Sequence, residues 1–234
     1  MFFLQKKIVL FVKTMSKYFI LIICFIFLSP SSSKLFKKSR LSDKLKIELF
    51  TESLCPYCIA FLTTSFKTAI NTKGIELLAD FSIYPYGNAY QSLFDKKWKF
   101  KCQHGTKECY GNLMQNCVLH HTTFRTGIDF ILCFEENVGS FHEDIDEIGQ
   151  HCAGVLNIDF NEIKNCINTD MGNHIQHEVA TKTEALRPPR RHVPWIVVNS
   201  QHNSKIEKQI KENMLGYICK NYQGNVKIEA CLPK

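Results

Sequence analysis

The sequence predicts an α/β domain divided by a disulfide-stapled helical insert, and three observations carry that prediction. Leu45 to Phe50 alternates charged and apolar residues, Lys46 and Glu48 against Ile47 and Leu49, the period-two pattern of a half-buried strand. After it the period changes: Ile59, Leu62, Phe66, Ala69 and Ile70 fall on one face of a helix, which Gly74 can close in the left-handed conformation. Far downstream, Val193-Pro194-Trp195-Ile196-Val197-Val198-Asn199 places three consecutive β-branched residues behind a proline, as in a buried strand whose first position needs no ladder donor. Between the second strand and this one, residues 89–187 read as mainly helical and carry Cys102, Cys109, Cys117, Cys133, Cys152 and Cys166.

The N-terminus reads differently from the rest. Tyr18 to Leu28 is an unbroken apolar run between Lys17 and Ser29-Pro30-Ser31-Ser32-Ser33, the layout of a secretory signal peptide. A membrane-spanning helix needs about 20 apolar residues, and Lys13 and Lys17 interrupt any longer run. Residues 1–33 are therefore expected to be a signal, residues 34–44 a polar lead and residues 45–234 the domain. Met15 offers a shorter start to that signal. Without Lys6, Lys7, Lys13 and Lys17, the 29 basic residues fall to 25 against 22 acidic ones, a net charge of +3. Basic runs at Lys34–Arg40 and Arg187–Arg191 have no interleaved aromatics, so neither a nucleic-acid partner nor a stable membrane association is expected. Ten of the 11 cysteines remain once Cys24 is gone, an even number suited to an oxidising compartment.

The chemistry centres on Cys55-Pro56-Tyr57-Cys58. Cys55 sits where strand passes to helix, and Pro56 takes a first-turn position at which a missing N–H costs nothing. Backbone N–H groups at that helix start favour a thiolate, so Cys55 is expected to be the exposed nucleophile, with Cys58 one turn on as its resolving partner. A C-x-x-C can also be half a zinc site or a plain structural bridge. Zinc would want a second C-x-x-C or a paired-histidine motif, which the chain lacks, and no metal is expected.

Along the rest of the chain, Ile75 to Ile83 reads as the second strand, ended by the turn Tyr84-Pro85-Tyr86-Gly87-Asn88-Ala89. Cys102-Gln103-His104-Gly105 follows, with Glu108-Cys109, Asn112 and Cys117; in a secreted chain these cysteines are better read as bridged than as zinc ligands. Val118, His121, Phe124 and Arg125 read as one helical segment, and Phe130–Glu135, Ile145–Gln150 and Ile158–Ile167 as others. His104 and the other insert histidines lack a periodic pairing and read as surface or packing residues. Ile206 to Cys219 makes a last amphipathic helix, and Cys219 and Cys231 are expected to bridge the tail. Which of the eight non-motif cysteines pair is open on the sequence.

Four separated stretches together resemble one family. Glu52-Ser53-Leu54-Cys55-Pro56-Tyr57-Cys58, Tyr84 to Ala89, Cys102 to Cys117 and Val193 to Asn199 look like the gamma-interferon-inducible lysosomal thiol reductase (GILT) family, over about Ile47 to Cys231. Of these, the C-Q-H-G signature is the most specific. The resemblance implies a thioredoxin-like domain with a helical insert, which reduces protein disulfides in acidic endosomes and lysosomes. It implies Cys55 as nucleophile and Cys58 as resolving cysteine, and a cis Val193–Pro194 bond that packs against them and leaves the Val193 backbone free for a substrate strand. No bound cofactor is implied, only an external thiol such as cysteine or glutathione to regenerate the pair. Two departures stand out: Pro56-Tyr57 where mammalian members carry Gly-Ala, and no N-x-[ST] sequon, which favours secretion over sugar-directed lysosomal sorting. The competing readings are an oxidase or isomerase of the secretory pathway and a disulfide-rich secreted binding protein.

Overall fold

The computed structural model describes residues 44–138 and 144–233, all within the unit Ser42–Lys234. The expected signal, residues 1–33, lies outside the described residues, as does the polar lead apart from Lys44. Strand β1 (Leu45–Thr51) runs parallel to β2 (Ala79–Pro85) and antiparallel to β5 (Trp195–Val198), which pairs in turn with β6 (Gln201–His202), giving the order β2-β1-β5-β6. The alternation read in β1 sorts its side chains onto two faces. Leu45, Ile47 and Leu49 join Ile196 and Val198 on one, while Phe50 meets Trp195 and Val197 on the other. Ile47 and Leu49 are fully buried, worth about 1.5–3 kcal/mol each relative to exposure.

The helix after β1 is not uniform. It begins as α1 (Pro56–Phe61), widens into a π-helical turn at Leu62–Phe66 and resumes as α2 (Lys67–Ile70). Ser65, in the widened turn, explains a second irregularity. Its hydroxyl donates to the Ile210 carbonyl (2.7 Å) and accepts from the Met214 N–H (2.8 Å), taking the place of an i→i−4 bond inside α8 (Ser204–Asn221). The helix kinks there, at Asn213. Gly74 is left-handed as expected, but it opens a short 3₁₀ turn, Ile75–Leu77; the second strand starts four residues later than the apolar pattern suggested.

The insert runs from the hairpin β3 (Tyr90–Phe94) and β4 (Lys97–Lys101) through α3 (Thr106–His121), α4 (Phe124–Asn137), α5 (Ile145–Leu156), α6 (Phe160–Asn168) and α7 (Asp170–Glu184). The hairpin is the strand portion of an insert otherwise helical, as expected in the main. Its two-residue turn puts Asp95 and Lys96 at φ 49° and 63°, the left-handed pair that a tight hairpin demands. The single segment expected from Val118 to Arg125 is also two helices, because the Thr123 side chain accepts from the Thr126 N–H and caps α4.

Helix α4 joins the insert to the sheet. Ile128, Ile131 and Leu132 enter the core under the sheet, whereas Phe130 and Phe134 enter a separate core with Met114, Ile148 and Ile163. Disulfides Cys117–Cys166 and Cys133–Cys152 tie α3 to α6 and α4 to α5, Cys102–Cys109 closes the loop before α3, and Cys219–Cys231 holds the C-terminal segment to α8. No described helix is long and apolar enough to cross a membrane.

Candidate active site

Cys55 and Cys58 are free thiols at the junction of β1 and α1. Cys55 occupies the N-cap position with extended backbone (φ −80°, ψ 119°), and Pro56 begins the helix. The Cys58 thiol donates a hydrogen bond to the Cys55 sulfur, and with the Cys58 and Tyr57 backbone N–H groups and the nearby His104 cation it outweighs burial and lowers the Cys55 pKa to about 6. Cys58 goes the other way. Burial and the neighbouring Cys55 push its thiol well above the ordinary value. One expectation needs correcting: Cys55 is only 5% exposed and clusters with Cys58 and Val193, yet it still lines a cleft of about 640 Å³. Val193–Pro194 is a cis bond, and both residues are buried beside that cleft.

Behind the thiols lies a group that the sequence reading passed over. Glu52, the last residue before the motif turn, turns a fully buried carboxylate toward His104 and Glu108. His104 Nδ1 is bonded to the Glu108 carboxylate and stands 3.6 Å from Glu52 Oε1. The hydrogen bond to Glu108 raises the His104 pKa, so the imidazolium supplies positive charge between two buried acids. Burial and the Glu108 charge lift Glu52 to about 7 despite the Asn88 N–H that donates to its Oε2 (2.7 Å). The three residues' donor atoms lie within 4.8 Å of one another, a spacing a cation could also span, but His104 already provides the counter-charge.

Local chemistry explains why these residues meet. The seven-residue separation of Cys102 and Cys109 makes a small covalent loop with His104 at its tip. Gly105 takes φ 87°, a left-handed value that favours glycine, and the chain then enters α3 so that Glu108 bonds back to the His104 N–H (3.2 Å). Asn112, one turn on, accepts from the Ser53 N–H (2.8 Å) and donates to the Tyr86 carbonyl (3.5 Å), fixing the motif turn against the insert. Gly87 is needed for a different reason. It has φ 61°, and a Cβ there would strike the Glu52 carboxylate.

Of the residues singled out in the sequence, Cys55, Cys58 and Val193 come together, with Pro194 next to them; the eight other cysteines are all bridged away from the thiols. His104 proves to be part of the site rather than a packing histidine. Glu52 and Glu108 were within quoted motifs, but only the fold shows that they face one another. Glu135 gave no signal at all: it is a polar residue on an apolar helix face, fully buried, with Gln115 donating to its Oε1 (2.7 Å) and a pKa pushed far up by burial.

The profile of the family described as "Gamma interferon inducible lysosomal thiol reductase (GILT)" matches residues 46–156. The chain is 33% identical over 196 residues to a gamma-interferon-inducible lysosomal thiol reductase of Carassius auratus, covering 81% of this chain and 73% of the relative. It is 31% identical over 195 residues to the protein of that name in Mus musculus, with the same coverage. Among solved structures, the oxidoreductase DsbA of Xylella fastidiosa superposes with a TM-score of 0.50 over 76% of this chain and 87% of that one, at 10% identity, a likeness of fold alone. A thioredoxin-like sheet with a disulfide-stapled helical insert, two free thiols at the start of its first helix and this degree of identity lead to one conclusion: the chain belongs to the gamma-interferon-inducible lysosomal thiol reductase family of thiol-disulfide oxidoreductases.

Proposed function

We propose that this protein reduces disulfide bonds in protein substrates at acidic pH, with Cys55 as the attacking thiolate and Cys58 as the resolving thiol. Cys55 attacks one sulfur of the substrate disulfide, forming a mixed disulfide and releasing the first substrate thiolate, which takes up a proton. Cys58 then loses its proton and attacks the Cys55 sulfur, releasing the second substrate thiol and leaving Cys55–Cys58 oxidised. Two electrons have passed from the pair to the substrate. An external thiol, cysteine or glutathione, returns them, and no bound cofactor takes part. The Val193 backbone beside Pro194 offers the edge on which an extended substrate segment docks.

The observation that carries this reading is the placement of the two thiols: Cys55 lines the cleft at the helix N-cap, where the Cys58 thiol and backbone N–H groups lower it to about 6, while Cys58 lies fully buried, which raises it well above the ordinary value. At pH 5 a thiol of pKa 8.5 is ionised to roughly one part in 3,000, and one of pKa 6 to about one part in eleven. The thiolate gain is about 300-fold, against a loss in nucleophilicity of about 10- to 18-fold at a Brønsted slope of 0.4–0.5. Acid attack is favoured by the difference. The same lowered pKa also stabilises the reduced pair at neutral pH, which makes it a better oxidant there, so reduction is best served below pH 6. The assignment fits a chain that enters the secretory route on residues 1–33 and works in endosomes, lysosomes or outside the cell through the domain of residues 45–234.

Turnover of a denatured disulfide protein with excess cysteine, followed from pH 4.5 to 7.5, tests the proposal. Activity at pH 5 that exceeds the uncatalysed rate supports it. Activity confined to oxidation or isomerisation near neutral pH would hand the function to the secretory-pathway reading.

A further inference from the structure

The cleft that holds Cys55 is lined by more cationic groups than its redox chemistry uses. Arg190, Arg191 and His192 lead directly into Val193 and share the lining with His104. Their acidic counterpart there is Glu52, whose carboxylate has no exposed surface and is already bonded to the Asn88 N–H. His192 is paired with Glu207 (2.7 Å), but among the described residues no carboxylate lies within ion-pair distance of Arg190 or Arg191. Arg190 is nonetheless held in place. Its Nη2 donates to the Ala89 carbonyl (2.9 Å), its guanidinium carbon stands 5.7 Å from the centroid of the Tyr86 ring, and its buried Nε has no acceptor.

A guanidinium fixed in one orientation, without a protein carboxylate, is suited to a ligand anion, because little side-chain freedom remains to be lost on binding. Its sequence position decides where that anion must be. Only Arg191 and His192 lie between Arg190 and Val193, the residue packed on the thiols, and all four line the cleft with Cys55, so an anion held there would belong to a molecule whose sulfur is at Cys55. We propose that Arg190 and Arg191 form a subsite for a carboxylate carried close to the reacting sulfur. Two sources share that chemistry: an acidic residue flanking a substrate cystine, and the carboxylate of the small thiol that regenerates the oxidised pair. The inference rests on Cys55 and Cys58 being the reacting pair, and its test is arranged so that the two can fail separately.

The oxidised protein is mixed with 3-mercaptopropionate, 2-mercaptoethanol or cysteamine, and each rate is divided by that thiol's rate with a neutral linear disulfide. The reduced protein is mixed with cystine peptides flanked by Glu or by Lys. At low salt the anionic thiol, the Glu-flanked peptide or both should lead their cationic counterparts by about five- to tenfold. That ratio should fall to about two in Arg190→Ala and in Arg191→Ala, recover partly in Arg190→Lys, and shrink in 0.5 M salt. A lead seen with thiols alone assigns the subsite to the reductant, and with peptides alone to the substrate. Equal normalised rates for all charges in the wild type, or a lead that both alanine variants retain, overturns the subsite while leaving the redox reading intact. Failure of the oxidised pair to react with any of the three thiols overturns the redox reading itself, and this subsite with it. Should Arg190→Ala misfold, Arg191→Ala and the salt dependence decide.

Discussion

Cysteine does opposite work in the helical insert and at the end of β1. In the insert, Cys117, Cys152 and Cys166 have no exposed surface and lie among isoleucines and phenylalanines, where a sulfur can only hold helices together. At the end of β1 the sulfurs are nearly as buried, Cys55 at 5% and Cys58 at 0%, so burial does not separate the two roles. What differs is the polar company. Cys55 has backbone N–H groups and a thiol donor directed at it and the His104 charge nearby, all of which favour the thiolate, and it opens onto a cleft. The Cys102–Cys109 bridge stands between the extremes, a staple whose product is the position of His104.

The largest effect that would break this contrast is on the reaction itself. Cys55→Ser should lower reductase activity by more than about a thousandfold and trap no substrate, while Cys58→Ser should accumulate a mixed disulfide visible on non-reducing gels. Mixed disulfide on Cys58 in the Cys55→Ser protein would reverse the roles. Next comes stability. Replacing both Cys117 and Cys166 by Ala opens a 49-residue loop and should cost up to about 4 kcal/mol in chemical denaturation, and Cys133 with Cys152, 19 residues apart, up to about 3. Neither double variant should move the alkylation pKa of Cys55. Replacing Cys102 and Cys109 should cost less, about 2 kcal/mol, yet raise that pKa, since His104 loses its covalent loop. An unchanged Cys55 pKa there would remove the staple from the site.

The two regions also differ in how far the sequence disclosed them. The strand alternation, the C-x-x-C at a strand-to-helix boundary and the proline before β5 were all visible, because each rests on a local period or on one residue's backbone demand. Glu52, His104 and Glu108 were not, since the first stands 52 and 56 positions from the other two, and no local pattern says that their side chains meet. Disulfide pairing was hidden for the same reason. The β3–β4 hairpin was legible and overlooked: Lys97-Trp98-Lys99-Phe100-Lys101 alternates, but its turn, Asp95-Lys96, lacks the glycine that marks such turns. The π-helical turn and the Asn213 kink depend on one another through Ser65, a contact between residues 145 positions apart.

Smaller effects sharpen the electrostatic side of the comparison. Glu52, Glu135 and His104 all have folded-state pKa values above their unfolded ones. For each, the folded state holds its proton longer as pH rises, so stability is fully present in acid and is lost through the interval between the two values. For Glu52 that interval runs from about 4.5 to about 7. In the oxidised protein, where the Cys55–Cys58 bridge removes the opposing gain that the lowered Cys55 thiol gives above about pH 6, denaturation midpoints should therefore be higher at pH 5 than at pH 7.5, and Glu52→Gln should flatten that dependence; an oxidised wild-type profile that rises toward neutral pH would contradict the assignment. Last, His104→Gln removes the weakest of the named influences on Cys55 and should slow its alkylation at pH 5 by roughly two- to threefold. No slowing would mean that the imidazolium orders Glu52 and Glu108 without reaching the sulfur.

The most direct test of the central claim is the pH dependence of Cys55 alkylation by iodoacetamide in the reduced wild-type protein, read by mass spectrometry at that residue. The account predicts a titration midpoint near 6, preferential labelling of Cys55, and Cys58 untouched until well above pH 8. A midpoint near the ordinary 8.5, or labelling of Cys58 first, would contradict it.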